Sequence, residues 1–261
     1  IPAAVLITLF IVGGYLLHTG IPGWILGVVS SVVVLSIAVA VFRMLPRALT
    51  RSFLTTGFVS VARYFDLQPE SLAARRAIRG GLVDLLHTLH QGSYARVIVV
   101  GHGVGGFIGY DALTTLWTEM HELHADSAPG LSALAPVEDF QEGQLRRWQD
   151  LRSQGNPWRI TDFVTIGSPM ALADLFVARP PILAGLKPVD VRHELFDRLV
   201  RAGVVATCPP NGDDGPFGGL SPFAVTRWTN IWFPVRRGGV RGDWFGGVLS
   251  QLFGPGIREV A

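Results

Sequence analysis

The residues with the clearest chemical pattern run from Val97 to Gly106. Val97-Ile98-Val99-Val100 is an apolar, β-branched run that passes into Gly101-His102-Gly103-Val104-Gly105-Gly106, and a helical pattern follows. A strand that turns tightly into a helix through glycines lifts the central turn residue clear of the backbone. In the pattern G-x-S-x-G, that residue is a serine displayed as a nucleophile, and the backbone N–H of the next residue stabilises the oxyanion. Here the central position is Gly103 and the oxyanion donor would be Val104. The spacing builds the frame, and the hydroxyl is absent.

A serine nucleophile works with a histidine base and a carboxylate that orients it, in the chain order Ser, Asp or Glu, His. Asp243, in the glycine-rich stretch after Arg227–Phe233, is the first candidate for the acid, and Asp174 is the second. No histidine follows Asp243, the last being His193. Ser168 in Gly167-Ser168-Pro169 reads as a turn former more than as a substitute nucleophile. The G-x-G-x-G-G arrangement departs from the dinucleotide-binding G-x-G-x-x-G, and no acidic partner stands about 20 residues on. His121 with His124, and His87 with His90, are spaced i, i+3, unlike the zinc-binding H-E-x-x-H, and read as surface or interfacial residues. No cofactor or metal is therefore expected.

Positioning such a turn requires strands alternating with helices. Leucines recurring at three- and four-residue spacing predict a helix over 69–91, with Leu72, Ile78, Leu82, Leu85, Leu86 and Leu89 as its apolar face. Arg96–Val100 is the next strand, and a helix runs from the turn to about His124. Further elements are a helix near Asp139–Arg152, strands at Ile160–Ile166 and Arg227–Phe233, and helices at Met170–Ala178 and Val189–Arg201. Phe58–Phe65 reads as a short strand or a linker, and the tail 248–261 as an apolar segment with Gly and Pro. The alternation predicts an α/β fold with a small, mostly parallel sheet flanked by helices.

Composition adds a membrane segment. Residues 1–42 carry no charge; Ile1–Leu17 and Ile21–Phe42 are apolar runs separated by His18-Thr19-Gly20. A span needs about 20 apolar residues, so 1–42 is expected to be a two-helix transmembrane hairpin. Residues 43–68 would be a juxtamembrane linker and 69–261 the α/β domain. Arg43, Arg47 and Arg51 place that domain on the cytoplasmic side. The expected partners are membrane lipid, a lipophilic acyl substrate or a membrane-protein assembly. A formal net charge of +2 gives no case for nucleic acid. A single cysteine, Cys208, precludes an intrachain disulfide.

The stretches VIVVGHGVGGFIGYDAL (97–113), FVTIGSPMALAD (163–174) and RWTNIWFPVRRGGVRGDWFGG (227–247) resemble the α/β-hydrolases, more closely their bacterial lipase- and esterase-like members. The resemblance covers about 150 residues. It implies an α/β-hydrolase-like fold and carboxylic ester hydrolysis by a serine mechanism, with Asp243 orienting a histidine expected beyond Ala261. Gly103 departs from that pattern. Losing the nucleophile costs on the order of a million-fold in rate, so the chain is expected to be inactive as a serine hydrolase. Three accounts of the glycine stay open: a substitution that traps a ligand, a pseudo-hydrolase serving as a structural or assembly subunit of a membrane complex, or a misassigned residue.

Overall fold

The computed structural model describes residues 53–66, 68–127, 139–177, 188–210, 221–234, 243 and 245–261. The chain divides into two units, Ile1–Thr56 and Gly57–Ala261. The expected hairpin over 1–42 lies outside the described residues. Among the described residues, no helix is long and apolar enough to cross a membrane.

Four strands form one wholly parallel sheet in the order β1 (Val97–His102), β2 (Ile160–Ile166), β3 (Arg227–Ile231), β4 (Arg258–Val260). Among the described residues the helices are α1 (Phe53–Tyr64), α2 (Pro69–Gln91), α3 (Gly105–Glu119), α4 (His121–Ser127), α5 (Phe140–Ser153), α6 (Ala173–Val177), α7 (Pro188–Arg201) and α8 (Ser250–Phe253). This is an α/β architecture with a small parallel sheet.

Several boundaries differ from the sequence expectation. Residues 58–64 belong to a helix, with neither the short strand nor the linker observed there. Val61, Tyr64 and Phe65 are buried at helical spacing, and Phe65 packs edge-on against Phe107 with ring centroids 4.7 Å apart. The helix expected to reach His124 is broken at Met120 into α3 and α4. The helix expected from Met170 is a 3-10 turn, Pro169–Leu172, followed by the short α6. The tail contributes a strand, β4. The buried stripe of α2 is Val83, Leu86 and His90, whereas Ile78 and Leu85 are exposed. The helix rests on α3 through that stripe, with Leu82 and Leu89 partly buried against the core.

The two faces of the sheet are unlike. Helix α3 covers the face carrying Val99 and Phe163: Gly109 has no room for a Cβ, which would stand 2.8 Å from the Phe163 ring. Phe163, Phe223 and Trp228 stack there, with centroids 4.6 Å apart for Phe223 and Trp228. On the opposite face Ile98, Val100 and Val260 are exposed, although parallel sheets are normally covered on both sides.

The covered face also carries a polar chain that ties three strands together. The Trp228 indole N–H donates to Thr165 Oγ1, and that hydroxyl donates to Asn230 Oδ1 at 2.9 Å. The Asn230 amide donates to Gly247 O and to Glu259 Oε2. Glu259 Oε1 in turn accepts the backbone N–H groups of Leu249 and Ser250. Each buried polar atom in this chain gains a partner, as burial requires.

Candidate functional site

β1 ends at His102, and the chain reverses into α3 through Gly103 and Val104. Three glycines make that reversal possible. Gly103 has φ +57°, a left-handed conformation that side chains adopt only with strain. A Cβ on Gly101 would stand 2.6 Å from the Gly105 carbonyl oxygen, so strand and helix approach at backbone contact. Gly106 faces Ser168, and a Cβ there would collide with the Ser168 hydroxyl.

Gly103 is different: a Cβ built on it meets nothing within 4 Å. Its N–H donates to Ile166 O at 3.0 Å, and its carbonyl accepts from Gly106 N–H at 3.1 Å. The turn is pinned from both sides while its outward position is open. Val104 N–H has no backbone acceptor among the described residues. Together with the first N–H groups of α3, it forms the positive end of the helix dipole.

Asp243 lies at the same end of the sheet. Its backbone N–H donates to Phe233 O at 2.7 Å, and its Oδ2 accepts from Phe233 N–H at 2.9 Å. These two hydrogen bonds tie Asp243 to Phe233, two residues past the end of β3. The carboxylate lies against Gly167, the residue that ends β2: a Cβ there would be 3.0 Å from Asp243 Oδ1. Gly103 bonds to the residue just before Gly167, so consecutive residues of the β2 end meet the two candidate positions. Asp174, the second candidate acid, sits in the first turn of α6 and accepts from Leu175 N–H.

The remaining candidates have structural explanations. Ser168 is buried, and its hydroxyl caps the 3-10 turn by accepting from Met170 N–H. His102 is exposed at the end of β1, and His193 is exposed on α7. His87 is exposed and pairs with Glu119 at 3.0 Å. His90 and His124 are buried, contrary to the surface or interfacial reading. Among the described residues, no group of three or more His, Cys, Asp or Glu could hold a metal ion. The Cys208 thiol is buried, and burial pushes its pKa up to about 12, so it is not a nucleophile in the folded state.

Sequence reading missed two features near the turn. A groove of about 440 Å³ runs between α1, α2 and α3, and Ala74, Ile78, Val104 and Ile108 line its apolar part. Val104 places it beside the turn. Behind it, Arg75 and Tyr64 both donate to Asp111 Oδ2 at 2.7 Å, and the guanidinium lies over the Tyr64 ring. Burial, then the Asp111 charge, push the Tyr64 pKa upward, so the phenol stays protonated. Ile78 is legible in the sequence as part of the apolar face of this helix, whereas nothing in its spacing marks Ala74.

Comparison of the chain with family models, with curated proteins and with solved structures finds no match.

Proposed function

We propose that this chain is a membrane-tethered α/β-hydrolase-type module, related to lipases and esterases, that holds a lipophilic acyl compound without cleaving it. The carrying observation is the geometry at residue 103. The turn is left-handed, its neighbours are glycines in backbone contact, and the outward position is unobstructed. That is the arrangement a displayed serine requires, and Gly103 offers no atom that can accept an acyl group.

The supporting chemistry follows from the neighbours. An ester carbonyl over Gly103 would find the Val104 N–H and the α3 dipole as oxyanion donors. Asp243 stands at the adjacent strand ends, where a carboxylate would orient a histidine. With a serine at 103 and such a histidine, the hydroxyl would attack the carbonyl, and the histidine would take its proton. Without them the same groups polarise and position a carbonyl but do not break the bond. The groove lined by Ala74, Ile78, Val104 and Ile108 falls in the size range of small-ligand sites and suits an alkyl chain. The charge-free 1–42 segment and Arg43, Arg47 and Arg51 support the membrane tether.

Binding of a pyrene-labelled decanoyl ester tests this reading, with Ala74→Trp as a groove-filling control and released acid measured in parallel. Saturable binding without acid release, lost in Ala74→Trp, supports it. Turnover by the native chain, or absence of binding, overturns it.

A second reading, a structural subunit of a membrane assembly, is favoured by the bare sheet face at Ile98, Val100 and Val260. It predicts a stable complex with another protein through that face and no affinity for the decanoyl ester.

A further inference from the structure

The buried contact of helix α4 is made by an ionisable side chain. Of its residues 121–126, only His124 is buried, at 0% exposure. The imidazole stacks on the Trp117 indole of α3, with centroids 3.6 Å apart and planes 14° from parallel. It also meets the Trp158 ring edge-on at 5.5 Å. The Asn156 amide completes the hold by reaching both Leu123 O and His124 Nδ1 at 3.1 Å. Nδ1 accepts from that amide, so it carries no hydrogen, and the ring proton sits on Nε2. A second proton would have to enter at Nδ1, against an N–H that already points there.

Among the described residues no carboxylate faces the ring, and the attraction of a cation to the Trp117 indole face is weaker than the cost of taking the charge out of water. The ionisable groups acting on His124 are His121 of its own helix and His90 of α2, which become cations when protonated. His90 in turn faces His87, Arg152 and Arg159. Glu119 is engaged with His87, and Glu122 and Asp126 point outward on α4. The buried Nε2 atoms of His90 and His124 and the Nδ1 atom of His121 have no hydrogen-bond partner. A charge placed on His124 would therefore be buried between two indoles, with no anion to meet it among the described residues.

We infer that α4 is an acid-released latch: protonation of His124 expels the ring from between Trp117 and Trp158 and frees the helix while the sheet stays folded. Burial, then His121 and His90, lower the His124 pKa from 6.5 to about 3 in the closed form. In the open form the ring is in water and returns to about 6.5. The sign follows directly. The closed form is fully favoured above about pH 6.5, and opening gains about tenfold for each pH unit below it, levelling near pH 3. Between pH 7 and 4.5 the open fraction should rise about 100-fold. The consequence is a helix whose docking reports acidity, on the covered side of the sheet.

Amide hydrogen exchange on the full chain, corrected for intrinsic rates, tests the latch. The expected result is about 100-fold faster exchange of α4 amides at pH 4.5 than at pH 7, while β2 amides remain protected. The acceleration should vanish in His124→Phe, which keeps the stack and removes the proton site. Unchanged α4 protection, or loss of protection in α4 and β2 together, would overturn the inference in the native chain alone, whether or not the variant folds.

Discussion

The Asp243 carboxylate rests on Gly167, whose missing side chain leaves it room: a Cβ at Gly167 would lie 3.0 Å from Oδ1 and 3.2 Å from Cγ. Gly167 also has φ +52°, and its N–H donates to Ile231 O at 2.9 Å. The end of β2 is thus shaped to receive the segment that follows β3. Gly167→Ala should strain the backbone and push the carboxylate away together. The expected loss is about 1–2 kcal/mol of unfolding free energy, read by urea denaturation. A neutral substitution would show that Asp243 does not depend on this seat.

Gly101→Ala tests the strand–helix approach. The added methyl meets the Gly105 backbone at 2.6 Å, and backbone cannot rotate aside. A loss of about 2–3 kcal/mol is expected. Gly105→Ala serves as the contrast: its Cβ finds nothing within 4 Å, so the change should be nearly neutral. Equal effects at the two positions would contradict the packing described.

The Arg75–Asp111 pair separates the surface groove from a smaller cavity of about 140 Å³ lined by Phe65, Phe107, Tyr110 and Phe196. Asp111→Ala leaves a half-buried guanidinium without its anion and is expected to cost about 2 kcal/mol. Tyr64→Phe removes one hydrogen bond to the same oxygen and should cost about 1 kcal/mol. The double variant should fall short of the sum, because both groups share Asp111 Oδ2. Strict additivity, measured by thermal unfolding, would show that the three residues do not act as a unit.

Glu259 joins β4 to the segment after Asp243 through Asn230, Leu249 and Ser250. Glu259→Gln keeps the shape but puts an N–H₂ against groups that donate. A loss of about 1–2 kcal/mol is expected, concentrated in faster hydrogen exchange at β4 and 249–253. Protection unchanged at those amides would count against the clamp.

Much of this arrangement was legible in the residues. β1 is legible as an apolar, β-branched run, β2 from the apolar residues of Ile160–Ile166 and β3 from its aromatic content, and the Gly101–Gly105 spacing identified the turn. Asp243 was found by its position after the third strand, and the structure sets it at the same sheet end as Gly103. Other features were not visible. Phe58–Phe65 is rich in aromatic and β-branched residues, as strands are, yet Val61, Tyr64 and Phe65 bury one helical stripe. β4 is three residues long and contains Arg258 and Glu259, too short and too charged for a periodic signal. The Thr165–Asn230–Glu259 chain and the His124 stack depend on partners 29 to 65 positions away or across a helix break, which spacing alone does not encode. The bare face at Ile98 and Val100 was read as buried, because continuous apolar strands usually are.

The turn displays residue 103 outward. Gly103→Cys reads this directly, because Cys208 is the native thiol and is buried with its pKa raised. In folded protein at pH 8, iodoacetamide should alkylate the introduced thiol as readily as a free cysteine, leaving Cys208 untouched until denaturant is added. An introduced thiol as protected as Cys208, in a variant that retains the native circular dichroism spectrum, would show that the turn does not present residue 103 to solvent.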